Sequence, residues 1–146
     1  GGGVVAVAGN NGKFGHADGK GQIFGDFGGG FWVGQQGLRR AISTLDQRDD
    51  AHDLVKLLSA ELESHSKLQN KTGVDAATLC ISAAKTVIQG AENGVTSAQE
   101  ILKTAAKFLG ATVIAAWNKV SDNAQEKPSI DIFFYFEMRS LSLSED

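Results

Sequence analysis

Three observations in this sequence predict an α+β fold: a helical layer of three to four helices on a small antiparallel sheet. The stretch from Thr96 to Val120 carries an unbroken helical apolar stripe, residues 1–37 hold 14 of the 18 glycines, and the residues from Ser129 to Leu143 alternate with a period of two. At 146 residues the chain reads as one domain, long enough to bury a core without staples. Within it lie a glycine-rich β or arm region (1–37), a helical region (38–122) and a C-terminal strand (129–143). The sheet is expected to form from the glycine-rich region and the C-terminal strand.

The helix is the clearest element. Ile101, Ala105, Phe108, Leu109, Thr112, Val113, Ala116, Trp117 and Val120 recur at spacings of three and four, which places them on one face. Thr96 with Gln99, or Ser97 with Glu100, supplies a capping box at its start. It is expected to be the most buried helix, with Phe108, Leu109, Val113 and Trp117 inside.

The glycine-rich region offers short apolar pieces between turns. Val4 to Val7 reads as a strand stopped by Gly9-Asn10-Asn11-Gly12, and Gln22 to Phe27 and Phe31 to Val33 read as further strands. Hairpins are expected; the competing reading is a flexible arm that orders only against a partner.

From Leu38 the period turns helical. Leu38, Ile42 and Leu45 share a face, and Leu54, Leu58, Leu62 and His65 mark a second helix from Asp50 to Gln69, with Asp49 or Asp50 as its cap. Leu79, Ala83, Val87 and Ile88 mark a third, started by Asp75 and closed near Gly90 before the Asn93-Gly94 turn. Short connections imply antiparallel neighbours. Pro128, the one proline, ends this region. Ile130, Ile132, Phe134, Phe136 and Met138 then alternate with Asp131, Phe133, Tyr135, Glu137 and Arg139, an interior strand with its even-numbered side chains toward the helices.

Composition removes several functions. A net charge of −3 gives no global pull toward nucleic acid, so no nucleic-acid partner is expected. The single cysteine, Cys80, rules out an intramolecular disulfide and reads as a buried small hydrophobe between Leu79 and Ile81. Eighteen consecutive apolar residues occur nowhere. The start on Gly1-Gly2-Gly3 without methionine and the Asn70-Lys71-Thr72 glycosylation triplet are read as marks of a processed, secreted protein.

No catalytic constellation is legible. Gly9-Asn10-Asn11-Gly12-Lys13 follows a strand but has two residues between its glycines, and Phe14 after the lysine, where a phosphate-binding loop needs four residues and a Ser or Thr. Asp46, Asp49, Asp50, His52 and Asp53 form the densest set of metal-ligand types. Acidic residues gather at helix starts for the backbone donors there, so no metal and no cofactor are expected. Glu61 and His65, four apart, have acid–base spacing, but the histidine lies in line with the leucines.

The remaining signal is cationic. Between Thr96 and Val120 the charges are Lys103, Lys107 and Lys119 against Glu100 alone, with Phe108 and Trp117 on the apolar face and Ile114 intruding on the polar one. The expected function is that of a small secreted non-enzymatic protein acting on cell surfaces or membranes, a toxin being its sharpest form. Its contact residues would be Lys103, Lys107, Phe108, Trp117, Phe31 and Trp32, and its partner a membrane surface or a cell-surface receptor. The alternative is a structural module that forms a homo-oligomer through its glycine-rich arm and aromatic C-terminal strand.

Overall fold

The structure is a computed structural model and describes residues 3–63 and 74–122. Among these the fold is α+β: a two-stranded antiparallel sheet with six helices. Strand β1 (Val5–Asn10) pairs with β2 (Lys13–Asp18) in a hairpin, followed by a short helix α1 (Gly21–Phe24) and a long one, α2 (Gly30–Leu45). Two short helices, α3 (His52–Leu57) and α4 (Ser59–Leu62), precede α5 (Val74–Glu92) and α6 (Thr96–Asn118). The Ser129–Leu143 strand, His65 and the Asn70 triplet lie outside the described residues.

The hairpin forms where Asn11-Gly12 separates the two apolar runs. Both residues have positive φ, 48° and 77°, as a two-residue turn of this hand requires. The ladder continues through Gly9 and Asn10, with Val5 opposite Asp18 and Asn10 opposite Lys13. Its alternation is inverted in size. Ala6, Ala8, Gly15 and Ala17 face inward, whereas Val5, Val7 and Phe14 stand in solvent. The inward face lies so close to the end of α6 that a Cβ on Gly15 would come within 2.8 Å of the Ala116 carbonyl oxygen.

Two expected strands are helical instead. Gln22 to Phe24 falls in α1, and Phe31 to Val33 in the first turns of α2. The glycines that read as turn signals are contact points: at Gly34 a Cβ would overlap the Cys80 carbonyl oxygen and sit 2.7 Å from the Ala84 nitrogen, and at Gly37 it would sit 2.6 Å from a Val87 methyl. Each glycine in a helix interior costs roughly 1 kcal/mol against alanine. Here that cost is offset by the close seating of α2 on α5.

The core is built on this pair. Val33, Leu38 and Ala41 of α2 meet Ala83, Val87 and Ala91 of α5, with Leu54, Leu58 and Leu62 closing one side and Ala98, Ile101 and Ala105 of α6 another. The leucine register predicted from Asp50 is therefore buried, although Leu58 breaks the single expected helix into α3 and α4. Helix α5 closes at Glu92, two residues past Gly90 and just before Asn93-Gly94, and Leu57 packs over Gly90.

Helix α6 departs from expectation at both ends. Its N-cap is Val95, and no hydroxyl of Thr96 or Ser97 caps it. The Asp53 carboxylate of α3 accepts the Ser97 N–H at 2.9 Å, 44 residues away in sequence. Nor is Asp49 or Asp50 the cap of α3, where Ala51 stands at the N-cap. Only the first half of α6 lies on the α2–α5 pair. Of its 23 residues five are buried, against six of 16 in α2, so α6 is not the more buried helix. Leu109, Val113 and Trp117 are half-buried, and Phe108 is 40% exposed.

Burial works against the charge of Asp53, yet hydrogen bonds from Ser97 and Leu54 prevail and hold its carboxyl below the usual range. A carboxyl lowered on folding contributes stability that is full above its unfolded value, near about 3.9, and is lost as pH falls through the folded value. Asp53→Asn is expected to lower stability at neutral pH by about 0.5–2 kcal/mol. The difference from wild type should shrink below about pH 4, as chemical denaturation at several pH values would read.

Candidate interaction surface

Between the hairpin and α2 the chain runs through a loop braced by its own aspartates. Asp18 and Asp26 both take positive φ, 68° and 58°. The Asp18 carboxylate accepts the Asp26 N–H at 2.8 Å, and the buried Asp26 carboxylate accepts the Val4 N–H at 2.9 Å. Gly28, at φ 84°, passes so near α6 that a Cβ would come within 2.6 Å of the Ala105 carbonyl oxygen. These contacts fix α1 above the middle of α6 and turn Ile23 and Phe24 outward, 78% and 82% exposed.

Aromatic rings fill the seam below. Phe27 and Phe108 lie with centroids 5.4 Å apart, and Trp32 meets Phe108 edge-on at the same distance. Beside them runs an open groove of roughly 340 Å³ lined by Ala17, Asp18, Lys20, Phe24, Gly25, Phe27, Phe108, Ala111, Thr112 and Ala115. Lys107 lies one turn before Ala111 on α6 and Lys103 one turn earlier, both exposed. Among the described residues Lys20, Lys103 and Lys107 enter no ion pair, whereas Lys13 pairs with Asp122 at 2.6 Å.

Of the six expected contact residues, the structure brings Trp32 and Phe108 into contact and leaves Lys103 and Lys107 exposed on the same helix as Phe108. Phe31 packs partly buried on the core, and Trp117 is half-buried farther along α6. Ile23, Phe24, Phe27 and Lys20 were not among the expected contacts. The signal was present as Gly21-Gln22-Ile23-Phe24-Gly25, two bulky apolar residues held between glycines.

The other candidate groups have structural tasks. Asp49 takes the Arg40 guanidinium at 3.1 Å, and Arg40 reaches Glu100 of α6 at 2.9 Å. This bridge, with an N–H of Asp50, lowers the Asp49 carboxyl, and the two acids raise Arg40. Asp46 pairs with Arg48. Among the described residues no three His, Cys, Asp or Glu side chains converge on a metal position. Buried Glu61 accepts the hydroxyls of Thr86 at 2.7 Å and Ser82 at 3.3 Å, both on α5. Cys80 is buried, and burial raises its thiol. The Gly9–Gly12 segment is the end of a hairpin, with β2 rather than a helix behind it. No helix among the described residues is long and apolar enough to cross a membrane.

Neither a known protein-family model nor a curated protein sequence matches the chain.

Proposed function

We propose that this is a non-enzymatic secreted protein that binds an anionic lipid surface, as a membrane-acting toxin would. One observation carries the reading: Lys20 lines a groove with the exposed rings of Phe24, Phe27 and Phe108, Lys103 and Lys107 are exposed on the same helix as Phe108, and none of the three lysines enters an ion pair among the described residues. Cations beside projecting apolar rings are what a headgroup layer over hydrocarbon accepts. Phe108 already stands at the surface, so contact needs no opening of the core. A protein whose target is a cell surface meets it from outside, which is the ground for a secreted location.

A second reading is favoured by a different feature. Each strand of the hairpin has one ladder partner, so among the described residues each has an outer edge with no second strand along it. In this reading the Ser129–Leu143 stretch adds to the glycine-rich sheet, and the same pairing between copies makes a structural assembly.

Co-sedimentation with vesicles at low salt tests the first reading. Binding is expected with phosphatidylserine present and is expected to fade as salt rises. Each lysine near the surface contributes about 1 kcal/mol. A folded Lys103→Glu, Lys107→Glu variant should therefore bind at least roughly 30-fold more weakly. No co-sedimentation at acidic or neutral pH, together with a sedimentation coefficient that rises with protein concentration, would replace this reading by the assembly module.

A further inference from the structure

We propose that the Ile23-Phe24 turn is the element that enters the hydrocarbon when the protein meets an anionic membrane. The inference rests on the lipid-surface reading and names the part of that surface that inserts.

Two adjacent apolar side chains more than three-quarters exposed stand together on α1. The turn is bounded by Gly19 and Gly21, both at positive φ, and by Gly25, where a Cβ would collide with the Asp18 carboxylate. The same carboxylate accepts the Asp26 N–H, and Asp26 holds the Val4 N–H. The projecting turn is thus fixed from below by hydrogen bonds rather than left to order on contact, so little conformational entropy is lost when it inserts.

The charges favour this turn over its competitor. Phe14, at the other end of the hairpin, is as exposed, at 83%, but its ring lies over Gly9, and its neighbour Lys13 is neutralised by Asp122. Lys20 stands three residues before Ile23 and lines the groove, and Lys107 and Lys103 are exposed one and two turns before the groove-lining Ala111 on α6. Asp18 also lines the groove, with its carboxylate drawn toward the backbone N–H of Asp26. An apolar tip beside a lysine without an ion partner enters the boundary between headgroups and chains to a depth of roughly 5–10 Å.

The test uses a fluorophore whose emission depends on polarity, attached to a cysteine at Phe24→Cys, with a second site at Glu92→Cys on the exposed end of α5 as reference. Cys80 is buried and is replaced by alanine in both proteins to keep labelling unique. Vesicles of equal parts phosphatidylserine and phosphatidylcholine are added at low salt, with and without a nitroxide on the acyl chain. A blue shift and nitroxide quenching at position 24 but not at 92 are expected. In parallel, the Ile23→Ser, Phe24→Ser protein should bind the same vesicles roughly tenfold more weakly or worse, while keeping its salt dependence. If unlabelled wild type binds but position 24 is not quenched and the serine variant binds as wild type does, the inference is overturned and the lipid-surface reading stands. If wild type itself does not bind, both fall.

Discussion

Leu58→Ala is expected to destabilise the protein by about 2–5 kcal/mol, measured by urea or thermal unfolding. Leu58 has no exposed surface, and it lies between Leu54 and the α2–α5 pair, so the truncated side chain leaves a cavity that rigid helices close only in part. Domains of this size have roughly 5–15 kcal/mol in total, so this one change removes a large share. Leu109→Ala provides the contrast. The stripe on α6 gives Leu109 the same weight as the core leucines, but its side chain is half-buried in the structure, and the expected cost falls to about 1 kcal/mol. Equal losses at the two positions would mean that α6 is sunk as deeply as its sequence pattern implies.

Gly34→Ala is expected to be the most damaging exchange of a glycine. The added methyl meets the Cys80 carbonyl and the Ala84 nitrogen, backbone atoms of α5 that cannot rotate aside as a side chain would. Overpacking of this kind costs about 1–3 kcal/mol and sometimes more, of which roughly 1 kcal/mol is returned by helix propensity. A net loss of up to about 2 kcal/mol follows, at the upper end because the methyl meets backbone. Gly110→Ala is its counterpart: Gly110 lies inside α6, exposed, with nothing near its missing Cβ, and the same exchange there should stabilise by up to about 1 kcal/mol. Thermal midpoints moving in opposite directions would confirm that glycine marks the α2–α5 contact.

Local signals carried the sequence reading a good distance. The leucine register of α3 and α4 and the body of α5 and α6 rest on spacings within a few residues and are found where the pattern puts them, and the turn read at Gly9–Gly12 narrows to Asn11-Gly12. What failed depended on distant partners. Gly34 and Gly37 look like turn residues until α5 is seen against them, and a capping box at Thr96 looks sufficient until Asp53 arrives from another helix. The candidate surface divides in the same way. Lys103, Lys107 and Phe108 are legible as a cationic, apolar helix, but an apolar piece as short as Ile23-Phe24 is ambiguous between strand and helical turn. Its projection depends on the Asp18 and Asp26 hydrogen bonds.

The small inward side chains of the hairpin have a consequence for how the molecule opens. Alanine and glycine remove little apolar area from water, so the attachment of β1 and β2 to α6 relies heavily on polar links: Asn10 to the Val120 carbonyl, Lys13 to Asp122, and Lys119 to the His16 carbonyl. Such links contribute little each at an exposed site, and the ionic one weakens in salt. The hairpin is therefore expected to detach at a lower free energy than the helices unfold, carrying the Asp18 end of the α1 brace with it, which native-state hydrogen exchange would read as faster exchange in β1 and β2 than in α5.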